Sequence, residues 1–141
     1  MAHMRALLVA LALLATPAAA DDGFRVVVHP SNMAADGLTR TQISQLFLKK
    51  TTRWADGRRV EPVEPGDAAL RDRFCRRIHG KSAAAVKSFW NQQIFAGREV
   101  PPLEKAAEAE VLEVVRSRPE AIGYVSPGAE LTGVKVVVAK E

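Results

Sequence analysis

A short segment between residues 64 and 71 contains residue types that bind small anions. It reads EPGDAALR and runs from a predicted strand into the start of a predicted helix. The first backbone N–H groups of a helix have no acceptor inside the helix, so they form a natural anion site. Four residues would supply those groups: Gly66, Asp67, Ala68 and Ala69. Arg71, one turn into the helix, would add a positive charge.

Asp67 also fits a purely structural role. An aspartate at this position commonly caps its own helix, because its carboxylate accepts hydrogen bonds from the first N–H groups. Capping would use the donors that an anion needs, and the sequence leaves both interpretations open. Ser31 and Asn32, in the loop after the first predicted strand, are two further candidate ligands for the anion.

The sequence contains no arrangement typical of catalysis or of metal binding. The three histidines (His3, His29 and His79) are not spaced as a metal pair, and a single cysteine argues against a zinc site. No Gly-x-Ser-x-Gly elbow and no glycine-rich phosphate loop is found. We therefore expect a protein that is not an enzyme, with no catalytic residue, cofactor or metal. Cys75 is expected to be a small buried hydrophobe, or alternatively a thiol that pairs between chains.

A predicted turn over residues 51–58 is a candidate surface for binding another protein. Trp54 lies in it, with Arg53 and Arg58 on either side. Trp54 would either be exposed there as a contact residue or pack into the core. The formal net charge of +4 favours anionic partners only weakly, and no nucleic-acid motif is present, so nucleic acid is not an expected partner.

The elements that would position these residues follow from hydrophobic periodicity and capping signals. Thr39 and Gln42 form a capping box at the start of the best-marked helix. Further helices are predicted from Asp67 to His79, from Ser82 to Gly97 and over residues 104–118. Strands are predicted over 24–29, 59–64, 121–125 and 134–139. Pro62 argues for an edge position of the second strand or for a bulge in it.

This element order predicts one α/β domain with a small mixed sheet flanked by about four helices. The domain would cover residues 21–141, a length typical of a single domain. Residues 1–20 have the features of a cleavable secretory signal: a positive Arg5, ten apolar residues (6–15) and a small-residue stretch (18–20). Residues 1–3 resemble a cloning remnant. Ten apolar residues are too few to span a bilayer, so we expect a periplasmic protein without a stable membrane anchor.

Two segments resemble phosphate ABC transporter substrate-binding proteins. The first runs from Leu38 through Phe47 to the Arg53-Trp54-x-Asp56-Gly57 turn, and the second is the strand Ala121–Val125. The resemblance covers nearly all of residues 24–141. It implies a single lobe of a type 2 periplasmic-binding-protein-like fold that binds phosphate or a related anion for an ABC transporter.

The chain departs from that family in two respects. The family has two lobes that close on the ligand, whereas this chain is long enough for one. The family's Ser-Gly-Thr turn corresponds here to Gly66-Asp67-Ala68-Ala69, which has neither hydroxyl. The alternative function is therefore a non-enzymatic protein-interaction module of the cell envelope that has lost ligand binding, with an envelope protein or a transporter as its partner. A homodimer that rebuilds a two-lobed cleft is a third possibility.

Overall fold

Residues 22–141, which the computed structural model describes, form five strands and four α-helices. The strands are β1 (Arg25–Val28), β2 (Glu61–Pro65), β3 (Leu103–Lys105), β4 (Ala121–Val125) and β5 (Lys135–Val137). The helices are α1 (Arg40–Phe47), α2 (Ala68–Phe74), α3 (Ala83–Phe95) and α4 (Glu108–Ser117). A short 3-10 helix (Met33–Ala35) precedes α1, and α2 continues into a π-helical turn (Cys75–His79). The predicted secretory signal lies outside the described residues.

The five strands form one mixed sheet in the order β3-β2-β4-β1-β5. β2 runs parallel to β3 and β4, whereas β1 runs antiparallel to β4 and β5. α1 and α2 pack on one face of the sheet through a core that contains Phe47 and Phe74. α4 packs on the opposite face, where Val111 meets Val63 of β2. The predicted small mixed sheet with about four helices is confirmed.

The capping predictions are also confirmed. The Thr39 hydroxyl accepts a hydrogen bond from the backbone N–H of Gln42, and the Gln42 side chain accepts one from the N–H of Thr39. Ser82 caps α3 in the same way, by accepting from the N–H of Ala85. Each cap satisfies a backbone donor at the helix start that has no acceptor within the helix.

The predicted edge position of the proline-containing strand is wrong, because β2 lies between β3 and β4. The backbone N–H of Glu61 donates toward β4, to the carbonyl of Glu120. Alternation along the strand turns the nitrogen of Pro62 the other way, toward β3, whose pairing with β2 begins only at Val63. The missing N–H of Pro62 therefore removes no hydrogen bond from the sheet.

The fourth helix is shorter than predicted. Residues 103–105 form β3 beside β2, and α4 begins only at Glu108. Val111, Val114 and Val115 are buried as expected, whereas Ala107, predicted to face inward, is exposed before the first turn. Residues in this segment are too polar to reveal a strand by periodicity, and the strand forms because β2 offers it a parallel partner.

The two ends of the described chain meet at one side chain. The Arg77 guanidinium donates to a carboxylate oxygen of Asp22 at 2.8 Å, and it also binds the Glu141 carboxylate. Close by, the backbone of Lys140 exchanges hydrogen bonds with Leu38 and Arg40 at the start of α1. Both ends of the described domain are thereby fixed to the same side of the molecule.

Gly123, in the middle of β4, is a position where the packing excludes a side chain. A Cβ atom there would lie 2.8 Å from a methyl carbon of Val111, 3.0 Å from one of Val63 and 3.2 Å from the Val63 carbonyl oxygen. We expect Gly123→Ala to lower the free energy of unfolding by about 1–3 kcal/mol, because the sheet and α4 would have to separate. Urea denaturation measures this. Gly128→Ala is the control, because a Cβ atom at Gly128 has no neighbour within 4 Å. Equal effects of the two substitutions would contradict the prediction.

Candidate functional site

A cleft of about 470 Å³ lies beside the parallel strands β2 and β3, where it is lined by residues of α2 and α3. The polar side chains that line it are Glu64, Arg71, Lys87, Asn91 and Glu104. Its more apolar wall is provided by α3 and the segment before β3, with Trp90, Ile94, Pro101 and Pro102. The cleft is a candidate ligand site by its composition.

The predicted anion segment lies at this cleft, but its backbone donors are partly used. Asp67 caps its own helix, since its carboxylate accepts from the N–H of Leu70 at 2.8 Å. The N–H of Gly66 donates to the carbonyl of Lys105 at 2.8 Å. Gly66, Ala68 and Arg71 line the cleft. Of the two roles that the sequence left open for Asp67, the structure shows the capping role, so any ligand here depends mainly on side chains.

Ala69 and the loop after β1 do not contribute to the cleft. Ala69 is exposed in the first turn of α2 but does not line the cavity. Ser31 and Asn32 lie at the opposite end of the sheet, because β1 runs antiparallel to β4 and hence also to β2. The Ser31 hydroxyl lies 2.7 Å from Nδ1 of His29, and the side-chain oxygen of buried Asn32 accepts from the N–H of Ala35. The structure therefore does not bring Ser31 and Asn32 together with the Gly66 segment.

Trp54 is a core residue and not a surface contact. Only 4% of it is exposed, and its indole N–H donates to the carbonyl of Glu120 at 2.9 Å. Arg53 and Arg58 do lie on the exposed turn, where Arg53 donates to the carbonyl of Gly57 and Arg58 pairs with Asp56 at 2.8 Å. The predicted interaction surface therefore has no exposed tryptophan at its centre.

Arg71 is the charged centre of the cleft. Its Nη2 donates to the carbonyl of Pro65 at 2.9 Å and lies 3.2 Å from a carboxylate oxygen of Glu104. Its buried Nε lies 3.9 Å from a carboxylate oxygen of Glu64, and the guanidinium also interacts with the hydroxyl of Tyr124. The side chain is 28% exposed, so part of the guanidinium can still reach a ligand in the cleft.

Glu64 is the most perturbed carboxyl group in the described part of the chain. Its side chain is 14% exposed, and burial raises its pKa to about 7, against the opposing effect of Arg71. The nearby Glu104 carboxylate raises that pKa further. This site therefore contains a carboxyl group with a raised pKa beside a guanidinium.

Two buried titratable groups, the Tyr124 hydroxyl and the Cys75 thiol, lie close to Glu64. The hydroxyl of fully buried Tyr124 interacts with the Arg71 guanidinium, and burial is the main cause that raises its pKa. Burial likewise raises the pKa of the Cys75 thiol to about 12. Cys75 is thus the buried, protonated small residue that the sequence predicts. A deprotonated, nucleophilic thiol would need the opposite shift.

Sequence reasoning missed Glu64, Glu104 and Tyr124 as members of this cluster. Glu64 and Tyr124 come from adjacent strands whose pairing the sequence does not reveal, and Glu104 was assigned to a helix. A local signal did exist for Glu64, since it is a charged residue in a strand that leads directly into the Gly66 turn. Among the described residues, no group of three potential ligands could hold a metal ion, and no helix is long and apolar enough to cross a membrane.

Comparison with known proteins identifies the fold. No protein family and no curated protein matches the sequence. Solved structures do match. An ABC-type phosphate transport receptor from Vibrio cholerae superposes with a TM-score of 0.59 and 20% identity, over 82% of this chain and 45% of the receptor.

Two other solved structures give the same result. A protein from Planctomyces limnophilus, described as a possible phosphate-binding protein, matches with a TM-score of 0.64 and 17% identity, over 84% of this chain and 42% of its own. A protein from Clostridium perfringens, assigned as a phosphate ABC transporter substrate-binding protein and solved with phosphate bound, matches with a TM-score of 0.55 and 21% identity, over 83% of this chain and 44% of its own. The chain therefore spans less than half the length of these proteins. The predicted single-lobe fold is confirmed: the chain has the fold of one part of a phosphate ABC transporter substrate-binding protein.

Proposed function

We propose that this protein is an exported, non-enzymatic binding lobe that holds a small anion, phosphate or a relative, in the cleft around Arg71. The fold it shares with proteins named for phosphate transport supports a binding function. Its site of action would be the periplasm and its downstream partner an ABC transporter, as the predicted secretory signal and the resemblance to that transport family suggest.

The single observation that carries the proposal is the half-buried guanidinium of Arg71 in the lining of the cleft. Guanidinium groups bind oxyanions with paired, charge-assisted hydrogen bonds. Lys87 lines the same cleft and adds a second positive charge. Glu64 and Glu104 oppose an anion while they are ionised, so we expect binding to be weak unless a carboxyl group is neutralised or displaced.

Substitution of Arg71 tests this function. We expect Arg71→Ala to weaken phosphate binding by about 10- to 100-fold, because it removes a charge-assisted hydrogen-bond donor. Isothermal titration of the full chain at pH 6 gives the affinity, and a thermal melt confirms that each variant is folded. Arg53→Ala is the matched control, since Arg53 lies on an exposed turn away from the cleft. If the unmodified protein binds neither phosphate nor sulfate at millimolar concentration, the proposal is wrong.

The alternative function is a protein-interaction module of the envelope. A surface other than the predicted turn around Trp54 favours it. Four large apolar residues are exposed between the end of α3 and β3: Ile94, Phe95, Val100 and Leu103. Exposed apolar clusters of this kind are typical of interaction sites. Failure of the anion titration in the unmodified protein would favour this alternative.

A further inference from the structure

The carboxyl group of Glu64 is placed where an anion bound to Arg71 would meet it. Its nearer oxygen lies 3.9 Å from Nε of Arg71, and both residues line the same cleft. An oxyanion that binds the Arg71 guanidinium from the cleft must therefore come within a few ångströms of this carboxyl group. Two negative charges at such a distance in a partly buried cleft repel each other strongly, because the effective dielectric constant is well below that of water.

We propose that anion binding at Arg71 is coupled to the uptake of one proton by Glu64. This inference rests on the proposed function and specifies how the same site is regulated. A protonated Glu64 removes the repulsion, and its O–H can donate a hydrogen bond to the anion or to a neighbouring acceptor. The affinity for an anion is then set by the fraction of molecules in which Glu64 is neutral.

The groups around Glu64 support this assignment. Those that face it or share its cleft are Arg71 from α2, Glu104 from β3, Tyr124 from β4, Cys75 from the π-helical turn and Lys87 from α3. α4 packs on the opposite face of β2, against Val63. Tyr124 and Cys75 stay protonated near neutral pH, because burial raises both of their pKa values. Glu64, with a pKa of about 7, titrates in the neutral range.

Sulfate is the suitable probe, because it remains a dianion throughout the neutral range, whereas phosphate itself titrates. We expect the Kd of the full chain for sulfate to be constant below about pH 6 and to rise about tenfold between pH 7.5 and 8.5, since one proton must then be taken up for each anion bound. Isothermal titration with sulfate at pH 8, in two buffers of different ionisation enthalpy, measures how many protons are taken up for each anion bound.

Glu64→Gln should remove this dependence. The amide resembles the protonated carboxyl group in shape and charge, so we expect Glu64→Gln to bind sulfate with a constant Kd from pH 6 to 8.5, at least tenfold tighter than the unmodified protein at pH 8.5. Glu104→Gln is the matched control. Its carboxylate also touches Arg71 but is 58% exposed, so this variant should keep the pH dependence. A thermal melt at pH 6 checks that both variants are folded.

The outcomes separate the two proposals. A constant Kd in the unmodified protein, or an unchanged slope in Glu64→Gln, would overturn the proton coupling and leave anion binding at Arg71 in place. If neither the unmodified protein nor Glu64→Gln binds sulfate or phosphate at pH 6, then the proposed function fails, and the coupling fails with it. If phosphate binds and sulfate does not, the difference in proton uptake between the unmodified protein and Glu64→Gln measures the coupling. No difference would refute it.

Discussion

Phe74→Ala is expected to lower the free energy of unfolding by about 3–5 kcal/mol. The Phe74 side chain is fully buried, and its ring stacks on that of Tyr124 with centroids 3.8 Å apart and planes within 6° of parallel. It also makes edge-to-face contacts with Phe24 and Phe47, at 5.2 Å and 4.8 Å between centroids. The substitution would leave a cavity where α2, α1 and the sheet meet. Small domains have about 5–15 kcal/mol of total stability, so the loss would be a large fraction of it.

Chemical denaturation, with the change read from the midpoint at constant slope, measures this effect. Phe95 provides a matched control, because it is the same residue type at the end of α3 with 95% of its surface exposed. Phe95→Ala should change the free energy of unfolding by no more than about 0.5 kcal/mol. The prediction is refuted if the two alanine variants unfold at similar denaturant concentrations.

Glu64→Gln should stabilise the protein at alkaline pH. A carboxyl group whose pKa rises from 4.5 in the unfolded chain to about 7 in the folded protein favours folding fully below pH 4.5. That contribution is lost as pH rises through 7, and the difference amounts to about 3 kcal/mol. An amide does not ionise, so the variant should be more stable than the unmodified protein by about this amount at pH 8.5. At pH 4 the two should be nearly equal.

The free energies of unfolding of the unmodified protein and Glu64→Gln must be compared at each pH, because the titration of His79 changes the stability in the opposite direction. Its Nδ1 lies 2.7 Å from the Ser44 hydroxyl, and burial lowers its pKa to about 4. This depressed pKa contributes stability above pH 6.5 that is lost as pH falls through 4, so the two effects oppose each other between pH 4.5 and 6.5. Glu104→Gln controls for the loss of a nearby charge, and a stabilisation as large as that of Glu64→Gln would contradict the prediction.

Local signals in the sequence predict the starts of α1, α2 and α3 and the main strands correctly. Thr39 and Ser82 cap helices through hydrogen bonds that span three residues, so neighbouring side chains are enough to identify them. β3 has no such signal, because its three residues adopt a strand only when β2 provides a parallel partner. The interior position of β2 was also missed. It is possible because the nitrogen of Pro62 faces away from β4, and neighbouring residues in the sequence do not show which way that nitrogen faces.

The candidate site was only half predictable. The sequence identified Arg71 and the Gly66 segment, because a strand that leads into a helix start has a recognisable composition. It offered capping by Asp67 as one of two interpretations, and it did not reveal that Glu64 and Tyr124 would meet beside Arg71. Those contacts depend on the register between β2 and β4, and on the depth at which each group is buried. Ser31 and Asn32 were misplaced because strand direction cannot be read from the chain.

The contacts of Arg77 have a consequence for how two distant parts of the sequence depend on each other. Because Asp22 and Glu141 bind the same guanidinium, Arg77 joins the segment before β1 and the segment after β5 to the π-helical turn. Loss of this one side chain would therefore release both segments together and not one at a time.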